Sequence, residues 1–270
     1  METRIQQTFA ALKDKEQMAF MPFVTAGDPD METTGAVIQE LAATGVDLIE
    51  VGFPYSDPIA DGPVIQASYT RALGKHITVQ QIFEGLAATN PASLPPILGM
   101  VSYAIIFRTG VERFLQQAKE AGLSGLIVPD LPGDEAADLF TQAKKAGLDL
   151  VQLVAPTTPR ERVREILKHC SGFVYCIAVA GTTGARDSIE SALLDQLRWL
   201  REETDLPLAV GFGISRPEHV APLRQLADGV IVGSGLVRFL EQCSAGADGK
   251  EGVLGGIRDL SVAMVAATHS

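Results

Sequence analysis

Cysteine and clustered positive charge are both scarce in this 270-residue chain. Three cysteines occur, Cys170, Cys176 and Cys243, an odd number without the spacing of a metal site. This usage disfavours a disulfide-stapled secreted domain and predicts a reducing, cytoplasmic location. The net charge is −11 and no Lys/Arg-rich run is present, which disfavours binding to nucleic acid or anionic membrane. No apolar span of membrane length and no signal-peptide pattern is found, so we expect a soluble protein.

Several common catalytic devices are also missing from the sequence. There is no Walker-type loop and no Gly-x-Gly-x-x-Gly after a predicted strand. The lysines fall on predicted helices or outer connections, which disfavours a Schiff-base aldolase. The four histidines are scattered away from predicted strand ends, which disfavours a metal-dependent aldolase. We therefore expect no cofactor and no metal in this chain, and proton transfer by carboxylates remains as the chemistry.

What the sequence does contain is a repeated pattern, in which a glycine ends a helix and a short apolar strand follows. Eight such strand-helix units occur without a hairpin, and this alternation is typical of a parallel sheet. We predict a (β/α)8 TIM barrel formed by residues 1–270 as one domain, with an extra N-terminal helix and a short helix after strand 8. An open doubly wound sheet is the alternative. Besides the strand that holds Glu50, the predicted strands cover residues 19–25, 97–103, 126–128, 148–154, 173–178, 208–210 and 229–232.

Residues 48–63 carry the most informative feature, an acid inside an apolar strand. Because side chains alternate along a strand, Glu50 shares one face with Leu48 and Gly52. A buried carboxylate without a partner has a raised pKa, which suits a general acid or base near neutral pH. An ion pair with Arg or Lys is the structural alternative. A second acid, Asp61, follows in a Pro-stiffened loop and completes a candidate proton-transfer pair.

Glycine-rich turns follow the predicted strands seven and eight. Gly211 and Gly213 come after the seventh strand, and Gly233 and Ser234 come after the eighth. In a TIM barrel these loops, together with a short extra helix, form the usual phosphate site. Backbone N–H groups and a helix N-terminus bind phosphate without Lys or Arg. We therefore predict a phosphorylated substrate, although the glycines could also serve only the turns.

Residues 48–63 read Leu-Ile-Glu-Val-Gly-Phe-Pro-Tyr-Ser-Asp-Pro-Ile-Ala-Asp-Gly-Pro, which resembles the signature of the tryptophan synthase alpha subunit family. Residues 22–29, 128–132, 181–185 and 211–214 are similar to other blocks of that family, in the same order. The resemblance implies a (β/α)8 barrel that cleaves indole-3-glycerol phosphate to indole and glyceraldehyde 3-phosphate. It also implies a beta-subunit partner, which holds pyridoxal phosphate and receives the indole, in an α2β2 tetramer.

The resemblance also assigns roles to residues of this chain. Glu50 and Asp61 would be the catalytic pair, and residues 55–59 would contact the beta subunit. Thr183 would help close its loop over the site and hydrogen-bond Asp61. The residues expected around the substrate are Phe23, Leu153, Tyr175, Thr183, Gly184, Phe212, Gly213, Gly233 and Ser234.

Two segments depart from the family pattern. Residues 100–105 lack the Asn of a Tyr-x-Asn-Pro-like turn, in a region that touches the partner and the pocket rim in the family. Ala178 and Thr182 stand where Ser and Val are usual. Alternatives to the lyase subunit are a stand-alone indole-releasing lyase, another phosphate-binding barrel such as a phosphoribosyl isomerase, and an inactive regulatory barrel. The presence of both Glu50 and Asp61 disfavours the last.

Overall fold

Eight parallel strands form a closed barrel, in chain order, in the computed structural model. The structure describes residues 2–58, 61–177, 191–211, 213–244 and 249–270. The predicted (β/α)8 barrel is therefore confirmed. The strands are β1 Ala19–Thr25, β2 Ile49–Gly52, β3 Ile97–Met100, β4 Leu123–Ile127, β5 Asp149–Val154, β6 Val174–Ile177, β7 Leu208–Gly211 and β8 Gly229–Val232.

Helices surround the barrel and connect its strands. In chain order they are α1 Arg4–Lys13, α2 Met31–Ala43, α3 Pro63–Gly74, α4 Val79–Ala88, α5 Tyr103–Thr109, α6 Val111–Glu120, α7 Ala137–Ala146, α8 Arg160–Leu167, α9 Ser191–Glu203, α10 Ser234–Ser244 and α11 Lys250–His269. The expected helix after strand 8 is α10. Within the described residues, no helix is both long enough and apolar enough to cross a membrane.

Alternation along each strand divides the apolar side chains between two cores. On β2, Ile49 and Val51 point outward into the layer between barrel and helices. Leu48 belongs to the second core, inside the barrel, together with Phe23 and Tyr175. Since Glu50 has the same parity as Leu48, this alternation turns its carboxylate into the barrel interior.

The N-terminal helix α1 lies against the interior core. Its buried residues Ile5, Phe9 and Leu12 belong to that core, and the ring of Phe9 lies 5.7 Å from that of Phe173. Thr3 begins the helix through a capping box with Gln6, which satisfies backbone donors of the first turn. The predicted N-terminal helix thus fills the end of the barrel opposite the carboxyl ends of the strands.

Three predicted elements were wrong in detail. Strand β3 ends at Met100, and Ser102 caps a helix, α5, where the sequence predicted strand up to residue 103. Strand β4 begins at Leu123, three residues before its predicted start. The helix predicted after β7 is two short 3₁₀ turns, because Pro222 lacks the N–H that an α-helix would need there.

Candidate functional site

Glu50 lies in the barrel interior, where no described residue forms an ion pair with it. On its two sides, β1 and β3 place Phe23 and Leu98 in register with it. The side chain is completely buried, and neither carboxylate oxygen has a hydrogen-bond partner among the described residues. Burial therefore raises the pKa of Glu50 to about 8. At neutral pH most of this carboxyl group is protonated, so the ion pair considered as the structural alternative is not present in the described structure.

Asp61 lies above the barrel, at the end of the loop that follows β2. Its backbone is held on both sides, since its N–H donates to Pro58 O at 3.0 Å and its O accepts from Gln66 Nε2 at 2.8 Å. Its Oδ2 is buried and has no partner within the described residues. Burial raises the pKa of Asp61 to about 6, and an interaction with the Tyr55 hydroxyl opposes the rise. Asp61 is therefore mostly ionised at pH 7, while Glu50 is mostly neutral.

Phe23 and Tyr175 form aromatic walls next to the two acids. Both are buried in the interior core, and Glu50 and Asp61 add to burial in raising the pKa of Tyr175. Each ring requires a glycine opposite it. A Cβ at Gly52 would lie 2.5 Å from Phe23 Cζ, and one at Gly211 would overlap the Tyr175 phenol. The glycines at the ends of β2 and β7 therefore create the space that these rings occupy.

The predicted phosphate residues that the structure describes lie at the carboxyl ends of β7 and β8. Gly213 has φ +80°, a left-handed conformation that favours glycine. Gly233 directly precedes α10, whose first residue is Ser234. The first-turn N–H groups of an α-helix have no intrahelical acceptor, and the helix dipole adds positive potential there. An anion can thus be bound at this position by backbone alone.

Comparison with known proteins assigns the family. A family model described as Tryptophan synthase alpha chain matches residues 9–260. This chain belongs to the tryptophan synthase alpha chain family. A tryptophan synthase alpha chain from Rippkaea orientalis is 47% identical over 241 residues, which cover 89% of this chain and 90% of that one.

Solved structures agree with this assignment. Tryptophan synthase subunit alpha from Legionella pneumophila superimposes with a TM-score of 0.89 at 33% identity, over 99% of both chains. A chain of the tryptophan synthase complex from Pyrococcus furiosus gives 0.83 at 34% identity, covering 93% of this chain and 99% of that one. The resemblance identified from residues 48–63 is thus confirmed for the chain as a whole.

The structure describes only some of the residues to which the tryptophan synthase alpha family pattern gives a role. Thr183, Gly184 and Phe212 lie outside the described residues, and their roles stay predictions. Leu153 is half-buried and pairs in register with Tyr175.

In the segment expected to contact a beta subunit, Ser56 and Asp57 are exposed and Tyr55 is half-buried, while Ile59 is not described. None of the described side chains forms a cluster of three or more potential metal ligands.

Two polar residues at the same end of the barrel were missed by the sequence prediction. Thr25, the last residue of β1, and Tyr69, on α3, are buried, and neither hydroxyl has a hydrogen-bond partner among the described residues. Asp130, which follows β4, accepts hydrogen bonds from Ser102 Oγ at 2.6 Å and Tyr103 N at 2.8 Å, and so connects the turn after β4 to the start of α5. Sequence offered one signal for Tyr69, its place on the helix that begins directly after Asp61.

Proposed function

We propose that this chain cleaves indole-3-glycerol phosphate to indole and glyceraldehyde 3-phosphate, as the alpha subunit of tryptophan synthase in L-tryptophan biosynthesis. The observation that carries the proposal is a pair of buried acids, in which both Glu50 oxygens and Asp61 Oδ2 lack a hydrogen-bond partner among the described residues. Glu50 holds its proton at pH 7, whereas Asp61 is mostly ionised. Two carboxyl groups with separated pKa values provide the acid and the anion that this reaction requires.

Glu50 is the acid and then the base of the proposed reaction. Cleavage of the bond between the indole ring and the glycerol carbon requires C3 of the ring to gain a proton, which protonated Glu50 delivers. The carboxylate that remains takes the proton of the adjacent glycerol hydroxyl. The electrons of the breaking carbon–carbon bond restore the aromatic ring, and the hydroxyl carbon becomes the aldehyde. Glu50 ends protonated, so no proton is lost or gained overall.

Asp61 stabilises the intermediate charge. Protonation at C3 leaves a positive charge on the ring nitrogen, and an ionised carboxylate facing the N–H lowers the energy of that state. Phe23, Leu153 and Tyr175 supply apolar walls for the ring. At the other end of the substrate, the backbone at Gly213, Gly233 and Ser234 binds the phosphate, together with Gly184, while Thr183 and Phe212 complete the site.

The proposed partner is a tryptophan synthase beta subunit in an α2β2 tetramer, with pyridoxal phosphate bound only in that subunit. An exposed aromatic side chain supports a protein contact at this end of the barrel. Phe107 on α5 is 70% exposed, and its ring lies 6.3 Å from that of Tyr103. This helix follows β3, the strand next to the one that leads into residues 55–58. We also propose a cytoplasmic location, in keeping with the buried free cysteines Cys170 and Cys176.

The test is release of indole from indole-3-glycerol phosphate by the purified chain, with and without a cognate beta subunit. We expect weak activity alone, strong stimulation by the beta subunit, and loss of activity in Glu50→Gln. Full activity without any beta subunit would instead indicate a stand-alone lyase. Absence of indole release under every condition would overturn the proposed reaction.

A further inference from the structure

Tyr69 lies on the inward face of α3, next to the catalytic strand. The helix begins two residues after Asp61, with Pro63 as its first residue. The side chain of Tyr69 is 1% exposed, and its ring lies 5.5 Å from that of Tyr55. A Cβ at Gly52 would lie 2.6 Å from the Tyr69 hydroxyl oxygen. Gly52 is the next inward-facing residue of β2 after Glu50, so this hydroxyl lies one step nearer the open end of the barrel.

The same helix face also reaches the predicted phosphate site. Ile65, one helical turn before Tyr69, is so close that its Cδ1 would lie 3.3 Å from a Cβ at Gly233. The inward face of α3 therefore extends from the phosphate end, at Gly233, to the level just above Glu50. In the proposed substrate, a hydroxylated three-carbon chain connects the phosphate to C3 of the indole ring. Tyr69 lies on the helix face that connects these two levels.

The Tyr69 hydroxyl has no hydrogen-bond partner within the described residues. A buried hydroxyl without a partner lowers stability, and phenylalanine would fill the same space without that cost. Besides burial, the nearby Asp61, Tyr55 and Glu50 raise the pKa of Tyr69. The phenol is thus a neutral hydrogen-bond donor next to two catalytic carboxyl groups, available to a ligand.

We propose that the Tyr69 hydroxyl is a substrate-binding group, which donates a hydrogen bond to a hydroxyl oxygen of the glycerol chain between the phosphate and the reacting carbon. This inference rests on the proposed function for the identity of the substrate. The ligand class that this hydroxyl recognises is a phosphorylated polyol, which contains the hydroxylated chain and the phosphate but not the indole ring.

The test compares two probes in binding calorimetry with the full chain, glycerol 3-phosphate and inorganic phosphate. Only the first carries the hydroxylated chain. We expect Tyr69→Phe to weaken glycerol 3-phosphate binding about 3- to 10-fold, the contribution of one neutral hydrogen bond, and to leave phosphate binding unchanged. The Tm of Tyr69→Phe should equal or exceed that of the wild type, because the lost hydroxyl makes no hydrogen bond to any described residue.

Ser261→Ala is the matched control. Ser261 also has a buried hydroxyl without a partner among the described residues, and it lies on the C-terminal helix α11, not on α3. We expect its loss to change neither affinity. Equal weakening of both probes in Tyr69→Phe, no weakening of either, or a wild type that binds neither would overturn the inference. If Tyr69→Phe selectively weakens glycerol 3-phosphate binding while the wild type releases no indole, the role of Tyr69 is supported and only the proposed reaction is overturned.

Discussion

Asp28 and Glu50 are two fully buried acids that follow or belong to neighbouring strands, β1 and β2. Asp28 is surrounded by partners. The guanidinium of Arg71 donates to both of its oxygens, from Nε at 3.1 Å and Nη2 at 2.7 Å, and Ser68 Oγ donates a further hydrogen bond. Glu50 has no partner within the described residues. Burial is the same for both acids, and the neighbouring groups differ.

The difference separates an acid that holds the fold from one that is available for chemistry. The Asp28 network connects the turn after β1 to α3, the helix that begins beside Asp61, and so fixes the framework of the site. An ion pair with good geometry offsets the desolvation of both charges. No described residue offsets the desolvation of Glu50, and burial raises its pKa to about 8. Burial is thus common to both acids, and only for Glu50 do both carboxylate oxygens lack a hydrogen-bond partner among the described residues.

The largest expected effect is on catalysis by Glu50→Gln. The amide keeps the shape of the side chain but can neither deliver a proton to C3 nor accept one from the glycerol hydroxyl, so we expect kcat to fall about 10³-fold or more. Steady-state indole release measures this. Glu40→Gln is the control, since Glu40 is also a glutamate but pairs with Arg258 on the helix surface. A loss below tenfold in Glu50→Gln would show that another group transfers the proton.

Asp61→Asn should have the next largest effect. Asparagine still accepts a hydrogen bond from the ring N–H but brings no negative charge, so we expect kcat to fall about 10²-fold. The same assay applies, with Asp195→Asn as the control at an exposed acid of α9. Unchanged activity in Asp61→Asn would mean that the ring nitrogen needs no anion.

Asp28→Asn should lower the stability of the fold, whereas Glu50→Gln and Asp61→Asn should lower kcat. The change leaves the Arg71 guanidinium partly buried beside a neutral group, and we expect unfolding free energy to fall by about 2–3 kcal/mol. Arg71 is 24% exposed on its side chain, which limits the effect. Denaturant unfolding measures it, with Asp195→Asn expected within about 0.5 kcal/mol. If Asp28→Asn is as stable as the wild type, the ion pair of Asp28 and Arg71 does not stabilise the fold.

The pH dependence of stability sharpens the comparison. Glu50 titrates near 4.5 when unfolded and at about 8 when folded. Between these values the folded state holds a proton that the unfolded state has released, so rising pH favours unfolding. From pH 5.5 to 7.5 the wild type should lose about 2 kcal/mol relative to Glu50→Gln. Denaturant curves at both pH values measure this, and parallel losses in the two proteins would contradict it.

Local sequence signals were sufficient to predict the barrel fold and the position of Glu50 in it. Glycine helix stops followed by short apolar strands identified eight units, and the bounds of β1 and β8 agree with the prediction. The inward, buried position of Glu50 could be predicted because side chains alternate along a strand and its neighbours are apolar. The α5 helix was missed because residues 101–106 include an apolar run, although Ser102 was an available N-cap.

Contacts between distant residues could not be predicted. Asp28 and Arg71 are 43 positions apart, and nothing in the sequence shows which acid meets which base. Tyr69 is an aromatic residue on an amphipathic helix, a pattern that ordinarily indicates core packing. Only the register of α3 against β2 places its hydroxyl near Glu50 and leaves it unpaired in the described structure.

The most direct measurement is the protonation of Glu50 itself, by infrared spectroscopy of its carboxyl C=O stretch. A titration of the wild type minus that of Glu50→Gln isolates this one group. We predict a protonated acid at neutral pH that loses its proton with a midpoint near pH 8. A midpoint near 4.5, the ordinary value for glutamate, would show that Glu50 is ionised at pH 7 and cannot deliver the proton that cleavage requires.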